Sequence, residues 1–398
     1  MRNTYSTLII ALFFLLIACC TGNQKEKPGK KTHTVYVSPF KPLLFSDDHT
    51  SEGFLAPLED GSIMLIFRME PGIEGNHVGT GGYIAQITYD PETDKWGDIE
   101  TVYNSHRYDD RNIHGGVTKD GRIVIFFRRY DGDETEGRYF IYSDSQGKTW
   151  SGLKSNKILS NPQVVDMRGN MSTGQMFYNP DIKKYTMLGF LYSWDQNRKY
   201  ITRRRYTAFS RDGGSWKEFS YVEDNQDYRL NEIAGAWCGE NRIIALQRDD
   251  ERKPGHPLVQ VVSYDNGRTW TEPVPTNIPP KQHWGAAPEI IYDQKRDLLI
   301  ALSSDRYSRP DEENSVFIYT ASPEEVISNP CGWTLQHELR RPWAALGFEE
   351  DRPLNQNLYG YNTIAQINKD EYLIVFTERA RMHGAEQADL YYFKMIIN

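Results

Sequence analysis

The chain has 398 residues and a formal net charge of −8, and 13% of its residues are aromatic, including 25 tyrosines. This length can hold several small cores or one large repeat fold. The acidic balance argues against nucleic acid as a partner, because a phosphate backbone attracts basic surfaces. The aromatic content is typical of a β-rich protein with filled cores, and it also suits carbohydrate binding.

The N-terminal segment has the pattern of an export signal. An apolar run over residues 8–18 is too short to span a bilayer comfortably. It ends directly before Cys19, and the four residues up to Cys19 resemble a bacterial lipobox; the alternative is an ordinary signal peptide that happens to contain Cys19 and Cys20. We expect residues 1–18 to be a lipoprotein signal peptide and the polar, lysine-rich residues 19–32 to be a flexible tether.

These features predict where the protein resides. Lipidation of Cys19 would hold it to the membrane by lipid alone, without a transmembrane helix. The expected location is the bacterial cell envelope, either in the periplasm or exposed on the surface.

A repeated unit fills the rest of the chain. Each copy has a short apolar strand, a turn, a more strongly apolar strand and then a charged residue. Six turns, near sixty residues apart, fall at Gly61, Gly121, Lys184, Asn241, Asp297 and Glu371. With an outer hairpin in each copy, the pattern predicts an all-β single domain over residues 33–398: a six-bladed β-propeller. Its last blade can take an outer strand from residues 392–397 or 33–39, and residues 323–328 form at most two helical turns.

Three turns share a motif of Ser, Asp, Gly and Trp. The full pattern occurs at Ser263, Asp265, Gly267 and Trp270. Residues 143–150 have Ser145 in place of the Asp, residues 210–216 reach the Trp one residue early, and a weaker trace spans 322–333. The Asp can accept backbone N–H groups and the Gly supplies positive φ, so the motif predicts a tight turn after a strand. The motif resembles the Asp box of the sialidase-type β-propellers, where it closes a blade away from the channel.

One face of the predicted propeller collects polar side chains. Each innermost strand begins, and each second strand ends, at the same face, because the two are antiparallel neighbours. Ionisable groups that converge on one concavity suit a polar ligand site, although charges at strand ends can also be solvated or paired with each other. The candidates at these positions are Arg68, Asp110, Arg111, His114, Glu232, Arg248, His283, Trp284, Tyr361, Glu378 and Arg379.

The resemblance to sialidases covers residues 35–398. It implies a retaining mechanism in which a Glu on blade four polarises a nucleophilic Tyr on blade six, and Glu232 and Tyr361 occupy these positions. A phenol with a pKa near ten needs a carboxylate to take its proton as it attacks. Arg248 matches the second arginine of the family's carboxylate-binding triad, and Glu378 matches a residue that orients the first.

The chain also departs from the sialidases. Leu55 stands where the family's Phe-Arg-Ile-Pro motif has the first triad arginine, and residues 283–286 offer no third arginine. Asn76 and His77 occupy the region of the acid/base Asp. Three guanidinium groups clamp the carboxylate of sialic acid, so the loss of two removes most of that recognition.

We therefore expect a monomeric glycoside hydrolase of sialidase-like fold that acts on a glycan or oligosaccharide other than ordinary sialosides, without a metal or other cofactor. Glu232 and Tyr361 would form the reactive pair, and Asp110 or His114 would donate the proton. The residues expected to bind the substrate are Arg68, Arg111, Arg248, His283, Trp284, Glu378 and Arg379.

Two other functions remain open from the sequence. A non-catalytic glycan-binding lipoprotein would use Trp194, Trp284 and Tyr359 as stacking platforms. A polysaccharide lyase would use Tyr361 or His114 to abstract a proton, while arginines neutralise a uronate. Fold alone does not choose among them.

Overall fold

The computed structural model describes residues 33–44, 48–72, 79–132, 135–155, 174–194, 200–216, 218–223, 228–251, 253–305, 315–340, 358–382 and 385–398. The predicted signal peptide, Cys19 and the tether lie outside these residues, as do Asn76 and His77. In the described part of the chain, no helix has the length and apolarity needed to cross a membrane.

Six antiparallel units follow two short N-terminal strands, β1 (Val35–Val37) and β2 (Lys41–Leu44). Unit one contains β3 (His49–Pro57), β4 (Ile63–Glu70), β5 (Tyr83–Asp90), β6 (Lys95–Trp96) and β7 (Glu100–Tyr103). Unit two contains β8 (Asp109–Val117), β9 (Ile123–Tyr130), β10 (Thr135–Ser143) and β11 (Lys154–Ser155). Unit three contains β12 (Phe177–Asn179), β13 (Lys184–Trp194), β14 (Tyr200–Ser210) and β15 (Glu218–Glu223).

The second half of the chain repeats this order. Unit four contains β16 (Leu230–Trp237), β17 (Ile243–Asp249), β18 (Val259–Ser263) and β19 (Val274–Pro275). Unit five contains β20 (Gly285–Asp293), β21 (Leu298–Asp305), β22 (Ser315–Ala321), the helix α1 (Pro323–Ser328) and β23 (Thr334–Arg340). Unit six contains β24 (Leu358–Gln366), β25 (Glu371–Met382) and β26 (Ala385–Ile397).

The N-terminal strands complete unit six. β1 and β2 both pair antiparallel with β26, and Val35 lies opposite Ile397. Both segments that the sequence offered as outer strands therefore take part, β26 as the third strand and β1 with β2 as the edge. The two ends of the domain meet in one sheet.

Neighbouring units contact each other through their first strands, and the contacts close into a ring. β3 contacts β8, β16 contacts β20, β20 contacts β24, and β24 contacts β3. Unit three joins through residues before β12. The Met176 amide donates to the Gly115 carbonyl of unit two at 2.7 Å, and the Gly174 amide donates to the Ile233 carbonyl of unit four at 3.2 Å.

Apolar side chains fill the spaces between neighbouring units. Ile66 of β4 packs with Ile125 of β9, and Leu246 of β17 packs in a cluster with Leu299 of β21. Both faces of a second strand are therefore covered, and all eight residues of β21 are buried. This is why the second strands are nearly continuous apolar runs in the sequence.

The turn motif at Ser263 is a hydrogen-bonded staple. Ser263 Oγ accepts from the Gly267 amide at 2.7 Å, and Asp265 Oδ1 accepts from the Thr269 amide at 2.8 Å. Asn266 and Gly267 have φ of 61° and 87°, the left-handed region that such a turn requires. In unit two, Ser145 Oγ accepts from the equivalent amide at 2.9 Å, so a hydroxyl partly replaces the missing carboxylate.

Three of the tryptophans of these turns fasten their unit to the one before it. Their indole N–H groups donate to side chains on the third strand of the preceding unit, whereas Trp216 donates to the Gly213 carbonyl of its own turn. The pairs are Trp150 to Gln86 at 3.2 Å, Trp270 to Thr207 at 3.3 Å and Trp333 to Gln260 at 3.2 Å. Trp333 belongs to the weak fourth trace of the motif, so that trace marks the same inter-unit contact.

Candidate functional site

Five of the six first strands bulge at the same position. The pairing with the second strand shifts by one or more residues near the start of β3, β8, β16, β20 and β24. Bulges re-aim side chains and are frequent beside active sites. They bring to one end of the ring the residues Glu52, Asn112, Glu232, Ala287 and Tyr361.

Glu232 anchors the first cluster at this end. Its side chain is 0% exposed, and its Oε1 accepts a hydrogen bond from Arg248 Nη1 at 2.7 Å. Its Oε2 accepts from the Ala287 amide of unit five at 3.1 Å. Arg248 also donates to Asp250 Oδ1 at 2.7 Å. The guanidinium cation of Arg248 therefore forms ion pairs with two buried carboxylates, Glu232 and Asp250.

Trp284 and Tyr361 complete this cluster. The Arg248 guanidinium carbon lies 5.2 Å from the ring centroid of Trp284, whose indole N–H donates to the Asp249 carbonyl at 2.6 Å. Burial by itself lowers the pKa of Arg248, but Glu232, Asp250 and Tyr361 raise it above its ordinary value. We call Glu232, Arg248, Asp250, Trp284 and Tyr361 the Glu232 group.

The Glu232 group has the components that could activate the phenol of Tyr361. Tyr361 is buried, with 9% of the residue exposed, and it is close enough to Arg248 for an electrostatic interaction. Arg248 supplies positive charge where a phenol would become negative, and the same guanidinium holds the Glu232 carboxylate on the bulge of unit four. A cation and a carboxylate held in place before reaction are what activation of a weak nucleophile requires.

A second cluster lies between units one and two. Arg68 donates from Nε to Asp109 Oδ1 at 2.7 Å and from Nη2 to Glu70 Oε2 at 2.6 Å, and it is 0% exposed. Arg111 donates to Asp109 at 3.4 Å and to Glu52 Oε1 at 3.3 Å. Burial raises the pKa of Asp109 although both arginines oppose this change. We call Glu52, Arg68, Asp109 and Arg111 the Asp109 group.

The predicted role of Arg68 as a substrate anchor does not fit its place. Its guanidinium is fully buried, and each nitrogen contacts a protein group, Nη1 reaching His49 Nδ1 at 3.2 Å. Arg68 instead holds Asp109 and Glu70 in position.

Glu52 has a role that the sequence did not reveal. It lies in the bulge of unit one and accepts a hydrogen bond from the Asn112 amide in the bulge of unit two. Glu232 has the same relation to Ala287. The two residues hold equivalent places in the structure, since Glu52 directly precedes Gly53, which pairs with Phe67, and Glu232 directly precedes Ile233, which pairs with Gln247.

The two predicted proton donors differ in their surroundings. Burial raises the pKa of Asp110 to about 6, while its Oδ2 accepts from the Ser105 amide at 2.8 Å. Burial lowers the pKa of His114 to about 4. His114 stacks on Phe126, 5.5 Å between ring centroids, and is 2% exposed. His114 is thus a neutral core residue near pH 7, so it has no proton to donate there in its neutral ring other than a weakly acidic N–H.

The remaining candidates are placed as follows. His283 Nδ1 lies 2.5 Å from Asp305 Oδ2, and Asp305 also accepts from the Trp284 amide at 3.3 Å. Glu378 is buried on β25. Arg379 also lies on β25, but its side chain is outside the described residues, as are the side chains of Trp194 and Tyr359. Trp284 is buried beneath Arg248, so it offers no open stacking platform.

Within the described ranges, no cluster of His, Cys, Asp or Glu side chains has the arrangement of a metal site. Cys238 is a buried free thiol, and burial raises its pKa to about 12. A thiol of this kind is inert near neutral pH.

The sequence matches one protein family. The model of the BNR repeat-like domain covers residues 83–289, slightly more than half of the chain. These residues run from the third strand of unit one into the first strand of unit five. No curated protein sequence matches the chain.

Solved structures resemble the fold at low sequence identity. A Dyadobacter fermentans protein of unknown function matches with a TM-score of 0.70 and 15% identity, over 92% of this chain and 99% of its own. The Hadza microbial sialidase Hz136 matches with a TM-score of 0.60 and 15% identity, over 85% of this chain and 65% of its own. The Trypanosoma rangeli sialidase matches with a TM-score of 0.59 and 12% identity, over 93% of this chain and 60% of its own. At such identities the likeness shows a sialidase-like fold and nothing more.

Proposed function

Because the chain belongs to the family of BNR repeat-like domains, we propose that it is a glycoside hydrolase of sialidase-like fold that acts on a glycan other than ordinary sialosides. The six units are the blades of a six-bladed β-propeller, with the bulged end as the mouth of the site. The protein is exported and held to the cell envelope by a lipid on Cys19.

The Glu232 group is the observation that carries this proposal. Glu232 and Tyr361 stand on bulges of units four and six, and Arg248 interacts with both. Such a carboxylate can accept the phenolic proton as the phenol oxygen attacks an anomeric carbon. The similar proteins whose printed names describe a function are sialidases, which agrees with this chemistry.

The proposed reaction has two balanced steps. Tyr361 Oη forms a bond to the anomeric carbon as the bond to the leaving oxygen breaks; Glu232 takes the phenolic proton and Asp110 protonates the leaving oxygen. A water then attacks the anomeric carbon and gives its proton to Asp110, while Tyr361 leaves and recovers its proton from Glu232. A pKa of about 6 lets Asp110 hold a proton in weakly acidic solution.

The position of Leu55 supports a substrate other than an ordinary sialoside. Leu55 is 1% exposed and packs with Leu65 and Leu373 in the core between units one and six. A carboxylate-binding arginine at this position would need space and solvent that the apolar cluster lacks. We therefore expect neutral or differently charged sugars to be cleaved in preference to sialic acid.

The alternatives receive less support. A lyase that used His114 as its base would need a strongly basic imidazole, whereas burial lowers the pKa of His114 to about 4. A binding module that used Trp284 would need an open ring face, which Arg248 covers.

The test is a screen of host and plant glycans for new reducing ends. We expect the wild-type protein to release sugar from at least one of them, and Glu232→Gln to slow release by about a hundredfold or more. Glu240→Gln is the matched control, because this side chain is 84% exposed on a turn at the other end of unit four. Equal rates for the two variants, or no release by the wild type, would refute the proposal.

A further inference from the structure

A cavity of about 460 Å³ lies at the end of the ring opposite the bulges. Its wall combines the ends of the first strands β16 and β20 and the residues around β12 with the turn after β8. The bulges lie at the beginnings of β16 and β20, so the cavity is separate from the Glu232 group. Its ring and polar side chains include Lys119, Gln175, Tyr178, Trp237 and Tyr292.

Two aromatic side chains in this wall are fixed by their polar ends. The Trp237 indole N–H donates to Asp181 Oδ2 at 2.8 Å, and the Tyr292 hydroxyl donates to Asp297 Oδ1 at 2.7 Å. Both rings are partly exposed. Their orientation is thus set before a ligand arrives, which lowers the entropy lost on binding. The C–H faces of a sugar ring pack well against such aromatic faces.

The cavity wall carries one charge. Lys119 is the charged member of the lining set, and its Nζ lies 3.7 Å from the ring centroid of Tyr178. In the part of the chain that the structure describes, no carboxylate forms an ion pair with this ammonium group. The Lys119 amide donates to the Tyr185 hydroxyl at 2.7 Å, which fixes the turn that carries the charge. The carboxylates of Asp181 and Asp297 bind the polar ends of the two rings and do not line the cavity. The electrostatic complement of Lys119 is a single anionic group.

Gln175 adds a hydrogen-bonding side chain to the lining of the cavity. Its Nε2 donates to Thr363 Oγ1 at 3.1 Å and to the Ile364 carbonyl at 2.8 Å, both on unit six. These bonds use the donor end of the amide and hold the side chain across the ring. The amide oxygen remains an acceptor for a ligand hydroxyl.

We propose that this cavity is a second carbohydrate site that binds an acidic sugar residue, such as a uronate. The sugar ring packs on the Trp237 and Tyr292 faces, its carboxylate pairs with Lys119, and a hydroxyl donates to Gln175. The volume lies within the roughly 300–1,000 Å³ of ordinary small-ligand sites. Binding here is independent of the proposed hydrolysis, because the two sites lie at opposite ends of the ring.

Titration calorimetry with methyl β-D-glucuronide and methyl β-D-glucoside tests this site in the Glu232→Gln background, which removes turnover. We expect the glucuronide to bind more tightly than the glucoside. Lys119→Met keeps the apolar stem, and it should weaken glucuronide binding about tenfold while leaving glucoside binding unchanged. Trp237→Ala should weaken both sugars, and circular dichroism establishes that each variant is folded.

Lys119 is exposed, so its substitution should leave the fold intact. Lys148→Met is a matched control on an exposed turn of unit two that does not line the cavity. The proposal is overturned if the glucuronide does not bind, if both sugars bind equally, or if Lys119→Met and Lys148→Met have the same affinity.

Discussion

The carboxylate of Glu232 accepts a hydrogen bond at 3.1 Å from the backbone amide of Ala287, across the boundary between units four and five. Glu52 makes the same kind of contact with the Asn112 amide across the boundary between units one and two. In both cases, a carboxylate on one bulge fixes the bulged backbone of the next unit. The shape of the candidate site therefore depends on contacts between units.

Arg248 should be essential for stability as well as for chemistry. Arg248→Met leaves the buried carboxylates of Glu232 and Asp250 without their cation, so we expect the free energy of unfolding to fall by about 3–5 kcal/mol. Urea denaturation measures this loss. Arg229→Met is the control: its side chain is 62% exposed in the ion pair with Glu251, so the change should stay below about 1 kcal/mol. Equal losses would contradict the arrangement of the Glu232 group.

Asp110 should make stability depend on pH. Its pKa is raised to about 6 from the ordinary 3.8, so the folded state binds this proton more tightly than the unfolded state. The contribution of Asp110 to the free energy of unfolding is therefore most favourable below pH 3.8 and is lost as the pH rises to about 6. The two limits differ by about 3 kcal/mol.

The neutral variant Asp110→Asn removes this titration. Denaturant unfolding of both proteins between pH 4 and 7, with stability compared at each pH, measures the effect. We expect the variant to gain stability relative to the wild type as the pH rises through this window. Parallel pH profiles would show that Asp110 titrates normally, and its proposed role as proton donor would lose its physical basis.

The turn at Ser263 should contribute stability and leave activity unchanged. Asp265→Ala removes the acceptor of the Thr269 amide and hydroxyl, and we expect a loss of about 1–2 kcal/mol in the free energy of unfolding. Asp265→Ser should lose less, because Ser145 fills the same place in unit two. Thermal unfolding and the rate of sugar release measure the two effects. A large loss of activity at unchanged stability would contradict the assignment.

The architecture was predictable because it repeats. Six turn signals near sixty residues apart indicated six four-stranded units. The structure has six units, of which the first and the last are joined in one sheet by a parallel contact between β26 and β3. The contribution of both chain ends to the last unit was also visible, since β1 and the second half of β26 are rich in apolar residues. The motif at Trp333 was too stretched to match by spacing, because α1 is inserted between the Ser and the Trp. Only the inter-unit contact with Gln260 identifies it.

The site was predictable only in part. The order of strand starts and ends placed Glu232, Arg248 and Tyr361 at one end of the ring, and the structure brings them to its bulged end. The strand order alone could not distinguish His114, which packs in the core, from a surface histidine, because burial depends on the neighbouring unit. It also missed the role of Glu52, because a bulge is a property of the pairing between two strands and leaves no fixed residue pattern.

The most direct test of the central claim is the rate at which new reducing ends form when Tyr361→Phe meets the best glycan of the screen. Tyr264→Phe is the matched control, because it makes the same chemical change on an exposed tyrosine of the Ser263 turn. We predict that Tyr361→Phe slows release at least about a thousandfold with an unchanged unfolding transition, while Tyr264→Phe retains the wild-type rate. A Tyr361→Phe variant that released sugar at the wild-type rate would contradict the account.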